Sequence, residues 1–345
     1  MELERTISIE PILLPSPPPG LHKQPSLTLD EFFLIDTNFT VQAIQSLDSS
    51  RTNMTISEAC QSMRVPLGER DDSYCFRLSI SCKKELDEDF RSPKMVQKVD
   101  MYGLFWPVKD ASVYLKEENR LFYAFQSGYE SQPHSVYGGM SEWLQVISGE
   151  IELTLIKPTK LNLTKYSSWE PPEQFKPEVN TTIIHTLVSD SFIVIPCGWI
   201  RIFKANQDTC ALAGRFLNVR SLAAQLDCLA RDIINTNGKY ASKRDVEIRC
   251  LYWITIARLL DDHMERSAKR ERGDTVNEEM EESMLSSLNV KTLELLKRTL
   301  TDWRAKHKSI CTPMNLYAPS GIQLSLIVTD LTNYIKSRST PRKPL

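Results

Sequence analysis

The spacing of hydrophobic positions changes along the chain, and the changes divide it into regions. From Tyr74 to about Asn218, short runs of β-branched and aromatic residues are separated by Gly, Pro, Asn and Asp clusters. The runs predicted as strands are YCFRLSISC, RLFYAFQSGY, EWLQVISGEIELTLIKP, TTIIHTLV, DSFIVIP and WIRIFKA. Many short strands at even spacing predict a sandwich or barrel rather than a parallel sheet with crossover helices.

After Ser221 the hydrophobic spacing becomes helical. Four apolar stripes recur at three- and four-residue intervals: Leu222, Leu226 and Leu229; Leu251, Ile254 and Leu259; Val290, Leu293, Leu296, Leu300 and Trp303; and the segment IQLSLIVTDLTNYI. Such stripes predict the core-facing sides of a helical cap. Between the second and third stripes, ERSAKRERGDTVNEEMEE has mixed charge and no apolar face, which predicts a solvated loop.

The part before Tyr74 has a weaker pattern. PILLPSPPPG predicts a Pro-rich flexible leader. TISEACQSMRVP predicts a short helix that is capped by Thr55, with Glu58 three residues on. The predicted organisation is a leader over residues 1–27, a helical or mixed segment over 28–73, a barrel over 74–220, a helical domain over 221–338 and a basic tail over 339–345.

Composition restricts the function classes. The 345 residues are 41% hydrophobic and 25% charged, with a net charge of −2, which is typical of a globular protein. Nucleic-acid contact is expected only from a local basic patch such as KSRSTPRKPL at the C-terminus. The eight cysteines include no C-x-x-C pair, so neither a zinc module nor a disulfide framework is predicted. We expect neither a signal peptide nor a membrane span.

The segment SQPHSVYGG, residues 131–139, resembles the start of an iron site. A non-haem iron oxygenase uses two histidines and one carboxylate as ligands. When the first histidine and the carboxylate are two residues apart on a strand, both face the barrel interior. Val136 stands two residues after His134, so this strand offers one ligand. His185, on another predicted strand, is interpreted as an ordinary strand histidine.

Two longer stretches resemble the JmjC-domain histone lysine demethylases, in particular the branch whose members carry a plant homeodomain finger or an F-box. They are PHSVYGGMSEWLQVISGEIELTLIKPTKLNLTKYSSW and SFIVIPCGWIRIFKANQDTCALAGRFLN. The resemblance extends over roughly residues 30 to 338. It implies a mainly β fold with helices: a double-stranded β-helix of the jelly-roll, cupin-like kind with an N-terminal mixed segment and a C-terminal helical cap.

The resemblance also implies which positions hold iron. His134 matches the first iron histidine and is the remnant ligand. Val136 stands at the position of the carboxylate ligand. Arg201, in IPCGWIR, stands at the position of the last histidine.

The co-substrate positions implied by the resemblance are changed as well. Ile151 stands where family members have the lysine that binds 2-oxoglutarate. Ser131 keeps a hydroxyl partner for the same molecule, whereas Leu144 replaces an expected tyrosine. Arg215 replaces an asparagine in the AGRFLN element.

These replacements have physical consequences. Valine has no lone pair, and arginine stays protonated at any relevant pH, so neither binds a metal ion. A guanidinium also repels a divalent cation held a few ångströms away. Because a cation inside a barrel requires a counter-charge, we expect Arg201 to pair with an internal carboxylate, with Glu142 and Glu152 as candidates.

Two functions from different classes follow. The first is a catalytically inactive JmjC-type protein, a pseudo-demethylase, that has no cofactor and no catalytic residue and binds chromatin or histone-associated proteins. The alternative is an active histone lysine demethylase with rearranged ligands that uses Fe(II) and 2-oxoglutarate. A scaffold unrelated to chromatin also stays open, because fold does not fix function. The resemblance implies the nucleus, with the cytoplasm otherwise, and no small-molecule ligand is expected.

Overall fold

The computed structural model describes residues 10–18, 28–31, 40–47, 50–80, 92–107, 114–171, 173–235, 243–272, 284–306 and 324–339. The chain divides into two compact units. The first contains Met1–Val99 and Lys116–Gly238, and the second contains Asp100–Leu115 and Lys239–Leu345.

The first unit holds the strands. In the described ranges they are β1 (Ile12–Leu14), β2 (Thr40–Gln45), β3 (Arg51–Thr55), β4 (Tyr74–Ser79), β5 (Leu121–Phe125), β6 (Ser141–Ser148), β7 (Glu150–Ile156), β8 (Thr182–Val188), β9 (Phe192–Ile195), β10 (Ile200–Ala205) and β11 (Thr209–Phe216). They form an eight-stranded sheet in the order β1-β9-β6-β11-β5-β4-β2-β3 and a three-stranded sheet in the order β10-β7-β8. All pairings are antiparallel, and this arrangement confirms the predicted jelly-roll fold.

The interior of the first unit is apolar, because alternate residues of each strand face inward. The buried cluster contains Cys75, Leu121, Tyr123, Phe125, Tyr129, Leu144, Val146, Ile151, Leu153, Leu155, Leu187, Ile193, Ile195, Trp199, Phe203, Ala205, Ala211 and Ala213. Members come from strands of both sheets, so the cluster is the core of the barrel. The turn between β6 and β7 needs Gly149, which has φ 88°. A Cβ there would lie 2.4 Å from the carbonyl oxygen of Asp208.

The helices in the described ranges are α1 (Ile56–Arg64), α2 (Lys94–Gln97), α3 (Met101–Phe105), α4 (Tyr114–Asn119), α5 (Lys160–Ser168), α6 (Leu222–Asn235), α7 (Lys243–Glu271), α8 (Val290–Lys306) and α9 (Leu324–Ser339). The predicted cap of α1 is confirmed: Glu58 N donates to Thr55 Oγ1 at 3.3 Å, and Thr55 N donates to Glu58 Oε2 at 2.7 Å. None of these helices is both long and apolar enough to cross a membrane.

The second unit packs its long helices through the predicted stripes. Leu251, Ile254 and Leu259 of α7 are buried. Tyr252 of α7 meets Trp303 of α8 in an edge-to-face contact with ring centroids 5.9 Å apart. The helical stripes therefore face the core, as their spacing predicts.

Several features differ from the sequence expectations. Ile12–Leu14 pair with β9, so these residues are not part of a flexible leader. The segment 28–73 contributes two sheet strands, β2 and β3, besides its helix. Residues 265–271 of the predicted loop continue α7, and residues 273–282 lie outside the described ranges. Most of the leader (1–9 and 19–27) and most of the basic tail (340–345) also lie outside them.

Candidate functional site

His134 and Arg201 are neighbours in the first unit. The two residues form an antiparallel bridge: His134 N donates to Arg201 O at 3.0 Å, and Arg201 N donates to His134 O at 2.9 Å. The bridge explains why the resemblance maps ligand positions far apart in sequence onto one place. It brings together the first and last positions of the implied iron site.

The ring of His134 uses both of its nitrogens within the protein. Nδ1 lies 2.9 Å from Gln132 O, so we assign the proton to Nδ1. Nε2 is then the acceptor, and Arg201 Nε donates to it at 3.0 Å. Burial and the neighbouring Arg201 guanidinium lower the pKa of His134 to about 3. His134 is therefore neutral, and its remaining lone pair is occupied by arginine.

Arg201 also has a carboxylate partner. Its Nη1 contacts Glu142 Oε2, and the two side chains are 1% and 0% exposed. This confirms the expectation of an internal counter-charge and selects Glu142 over Glu152. Burial lowers the pKa of Arg201, and Glu142 opposes that shift. Since an arginine stays charged in proteins, the position carries a permanent cation.

Glu142 is shared between two arginines. It lies on β6 directly opposite Arg215 of β11, and Arg215 Nε donates to Glu142 Oε1 at 3.0 Å. Arg215 Nη2 donates to the hydroxyl of Tyr123 at 3.2 Å. Burial raises the pKa of Tyr123 to about 12, where the lowering effect of Arg215 and the smaller raising effect of Glu142 oppose each other.

A second carboxylate extends the network. Glu118 of α4 contacts Arg77 of β4 through one oxygen and Arg215 through the other. Burial raises the pKa of Glu118, but Arg215 and Arg77 outweigh that effect and leave it below its usual range. The charged cluster, defined as Arg77, Glu118, Glu142, Arg201 and Arg215, thus holds three cations and two anions.

The other predicted site residues lie in different surroundings. Val136 is buried and immediately precedes a 3-10 turn at Tyr137–Gly139. Ile151 and Leu144 are fully buried in the apolar core, where a lysine or tyrosine partner for 2-oxoglutarate is implied. Ser131 lies beside β10, and its Oγ accepts a hydrogen bond from Phe203 N at 2.9 Å.

These residues do not fit an Fe(II) ion with 2-oxoglutarate. Of the three implied ligand positions, Val136 is aliphatic and Arg201 is a cation. The free lone pair of the third, His134, accepts a hydrogen bond from Arg201. Ile151 offers no charge to a distal carboxylate. Across the described ranges, no group of three His, Cys, Asp or Glu side chains is placed to hold a metal ion. His185, on β8, is partly exposed, and burial lowers its pKa.

Three members of this region were not foreseen from the sequence: Arg77, Glu118 and Tyr123. Arg77 and Tyr123 are opposite each other on β4 and β5. A signal did exist for Arg77. It follows the apolar Cys75 by two residues, and residues two apart on a strand share a face, so Arg77 falls on the same inward face as Cys75. Glu118 lies on a short helix with no such alternation, so its role follows only from the three-dimensional arrangement.

Comparison with known proteins finds relatives among curated demethylases. The chain is similar to lysine-specific demethylase 7A of Danio rerio, with 32% identity over 143 residues, which are 39% of this chain and 16% of that protein. The corresponding human protein is 29% identical over 151 residues (42% and 16%). JmjC domain-containing histone demethylation protein 1 of Candida albicans is 27% identical over 164 residues (43% and 34%). The matched region thus spans at most about a third of these relatives' own length. No protein-family model matches the chain.

Proposed function

The chain is a relative of the JmjC-domain histone lysine demethylases, and we propose that it is a catalytically inactive protein of that fold. In this proposal it is a pseudo-demethylase without iron or 2-oxoglutarate, and it acts as a chromatin-associated binding or regulatory protein in the nucleus. The finer parts of the proposal, inactivity and chromatin association, have separate supports and separate tests.

One observation carries the proposal of inactivity. Arg201 donates to His134 Nε2 and pairs with Glu142, so a guanidinium occupies the place that the resemblance assigns to a metal ligand. A metal ion would have to displace this hydrogen bond. It would then stand a few ångströms from a fixed positive charge, which costs several kcal/mol at intermediate effective dielectric.

The surroundings of the co-substrate positions support the same proposal. Ile151 and Leu144 are packed in the barrel core with no exposed surface. A carboxylate placed against them would lose its hydration without gaining a charged partner. The substitutions thus act together against both iron and 2-oxoglutarate.

The chromatin part of the proposal has a different support. The relatives are named as histone demethylases. This chain has a jelly-roll fold, and the resemblance implies that two of its three ligand positions are changed. A protein that keeps such a fold without the reaction can still contact the partners of its relatives through its surface. We therefore propose nucleosomes, or proteins bound to them, as the partner class.

The first experiment tests inactivity. The full chain is titrated calorimetrically with Mn(II), Ni(II) and 2-oxoglutarate, and succinate release is measured with Fe(II), oxygen and methylated histone peptides. We expect no saturable metal binding and no succinate above the level without enzyme. An active demethylase measured in parallel validates the assay.

The matched variant is Arg201→His. It removes the guanidinium and places a second imidazole beside His134, so Ni(II) binding should increase relative to the unchanged chain. Micromolar binding of both metal and 2-oxoglutarate by the unchanged chain, or peptide turnover with succinate release, would favour the alternative, an active demethylase with rearranged ligands.

A second experiment tests chromatin association independently. Purified full chain is mixed with reconstituted mononucleosomes that carry unmodified or methylated histones, and binding is measured by fluorescence anisotropy. We expect saturable binding that persists in EDTA. No binding to any of these nucleosomes, while the protein stays folded, would remove the chromatin part and leave an inert scaffold.

A further inference from the structure

A cavity of about 280 Å³ opens beside the charged cluster in the first unit. Its wall includes Arg51 of β3 together with Arg77 and Arg215 of the cluster. The volume is close to the lower end of the range of about 300–1,000 Å³ that is typical of small-molecule sites. The space suits a small ligand rather than a peptide.

The charge of this wall has one sign. None of the described residues that line the cavity is an acid, whereas three are arginines. Two of these arginines, Arg77 and Arg215, are paired with Glu118 and Glu142, and the charged cluster as a whole has one more cation than anions. Arg77 Nε is buried and donates no hydrogen bond to a described residue. Since an unpaired buried donor costs free energy, an anion bound beside Arg77 would compensate a charge that the protein satisfies only in part.

The rest of the wall is largely aromatic. Tyr123, Phe125, Tyr129, Trp169 and Phe203 all contribute surface to the cavity. Phe125 and Phe203 meet at a centroid distance of 5.6 Å, and Phe125 and Tyr129 at 5.8 Å. Such rings favour a planar apolar body, whereas the arginine side chains favour a negatively charged group.

We propose that the cavity binds a small organic carboxylate with an aromatic body, without any metal ion. The anion would be held by Arg51, Arg77 and Arg215. Ser131 and His134 also line the cavity, so it overlaps the implied iron and co-substrate positions, whereas Ile151, at the position of the implied 2-oxoglutarate lysine, is absent from the described wall. A lysine ammonium would meet like charge here. The inference goes beyond the proposed function and differs from the sequence expectation that no small molecule is bound.

The experiment uses three probes of nearly equal shape: benzoate, its neutral isostere benzamide, and the cation benzylamine. Each is titrated into the full chain in EDTA and again with Mn(II), with calorimetry and ligand-observed NMR as readouts. Benzoate should bind saturably in EDTA, at least about tenfold more tightly than benzamide, because hydrogen bonds to charged groups are the strong ones. Benzylamine should show no saturable binding.

The test variant is Arg51→Gln, because Arg51 is exposed at the cavity and its replacement leaves the core intact. Benzoate binding should weaken about fivefold or more, whereas the benzamide signal should not change. Arg64→Gln is the matched control, since Arg64 is also exposed and does not line the cavity. A thermal melt of each variant verifies folding.

Each contrary result is decisive for the inference. It is overturned if no probe binds saturably, if benzamide or benzylamine binds as tightly as benzoate, or if benzoate requires Mn(II). It is also overturned if the Arg51 and Arg64 variants behave alike. The nucleosome and succinate assays do not involve these probes, so failure here is distinguishable from failure of the proposed function.

Discussion

Glu142 is the residue on which the stability of the charged cluster depends most. Its two oxygens face Arg201 and Arg215, and the side chain has no exposure to solvent. Glu142→Gln keeps the size and one acceptor oxygen but removes the charge. The cluster then holds three cations against the single carboxylate of Glu118.

The magnitude follows from the geometry. A unit charge pair at the 3.0 Å between Arg215 Nε and Glu142 Oε1 corresponds to about 5 kcal/mol at an effective dielectric of about 20. Removing one partner of a buried pair typically destabilises a protein by about 3–5 kcal/mol, because the other charge stays buried. We therefore expect Glu142→Gln to lower the free energy of unfolding by about 3–5 kcal/mol.

The assay is urea denaturation followed by tryptophan fluorescence and circular dichroism. Asp30→Asn is the matched control, because Asp30 pairs with Arg64 and both side chains are at least half exposed. An exposed pair contributes about 0–1 kcal/mol, so the control should unfold almost like the unchanged chain. The double variant Glu142→Gln with Arg201→Met should recover part of the loss, since it removes one of the uncompensated cations. A loss below about 1 kcal/mol for Glu142→Gln would refute the reasoning that the pair is buried and mutually required.

Three further predictions concern single positions. Gly139→Ala should lower the free energy of unfolding by about 3 kcal/mol. The backbone φ is 71° there, and a Cβ would lie 2.5 Å from the carbonyl oxygen of Gln225 in α6. Gly68→Ala is the control, because there is open space around Gly68, and it should be neutral in the same urea denaturation. Ile151→Lys should lower the free energy of unfolding by more than about 3 kcal/mol, because it buries an ammonium group in the core. Ile184→Lys should have little effect, because Ile184 is exposed. Equal stabilities of the two variants would contradict the assignment of Ile151 to the core. His134→Gln should flatten the pH dependence of the unfolding free energy between pH 6.5 and 5. The unfolded histidine binds a proton below pH 6.5, while the native one stays neutral down to about pH 3. Acid therefore destabilises the unchanged chain. The loss over this window is on the order of 1 kcal/mol, because His134 lines the cavity and is not completely shielded from solvent. An identical slope in the variant would contradict the assignment.

The barrel was largely predictable because its strands carry a strong local signal. The runs around β4 to β10 are rich in β-branched and aromatic residues, which suit a half-buried pleated surface. Of the strands that were not predicted, two escaped for opposite reasons. TCALAGRF forms β11 although its small residues have weak strand preference, since the neighbouring strands β5 and β6 decide its pairing. Ile12–Leu14 is three residues long, which is too short for a pattern to register.

The candidate site was predictable only in part. The resemblance supplied the positions of His134 and Arg201, and charge balance required an internal acid. Alternation along β7 would have excluded Glu152, because Ile151 next to it faces inward. Glu118 could not be anticipated, since it meets Arg77 only when segments 41 residues apart are brought together. Local pattern therefore predicts which residues face inward, whereas pairing between strands and helices decides which charges meet.

The hydrogen bond from Arg201 to His134, together with the ion pair to Glu142, couples two groups that are far apart in the sequence. A substitution of Arg201 would free the lone pair of His134 and at the same time take one of two arginines from the buried Glu142. The basicity of the imidazole and the folding of the barrel therefore share one side chain, and neither can be changed at this position without changing the other.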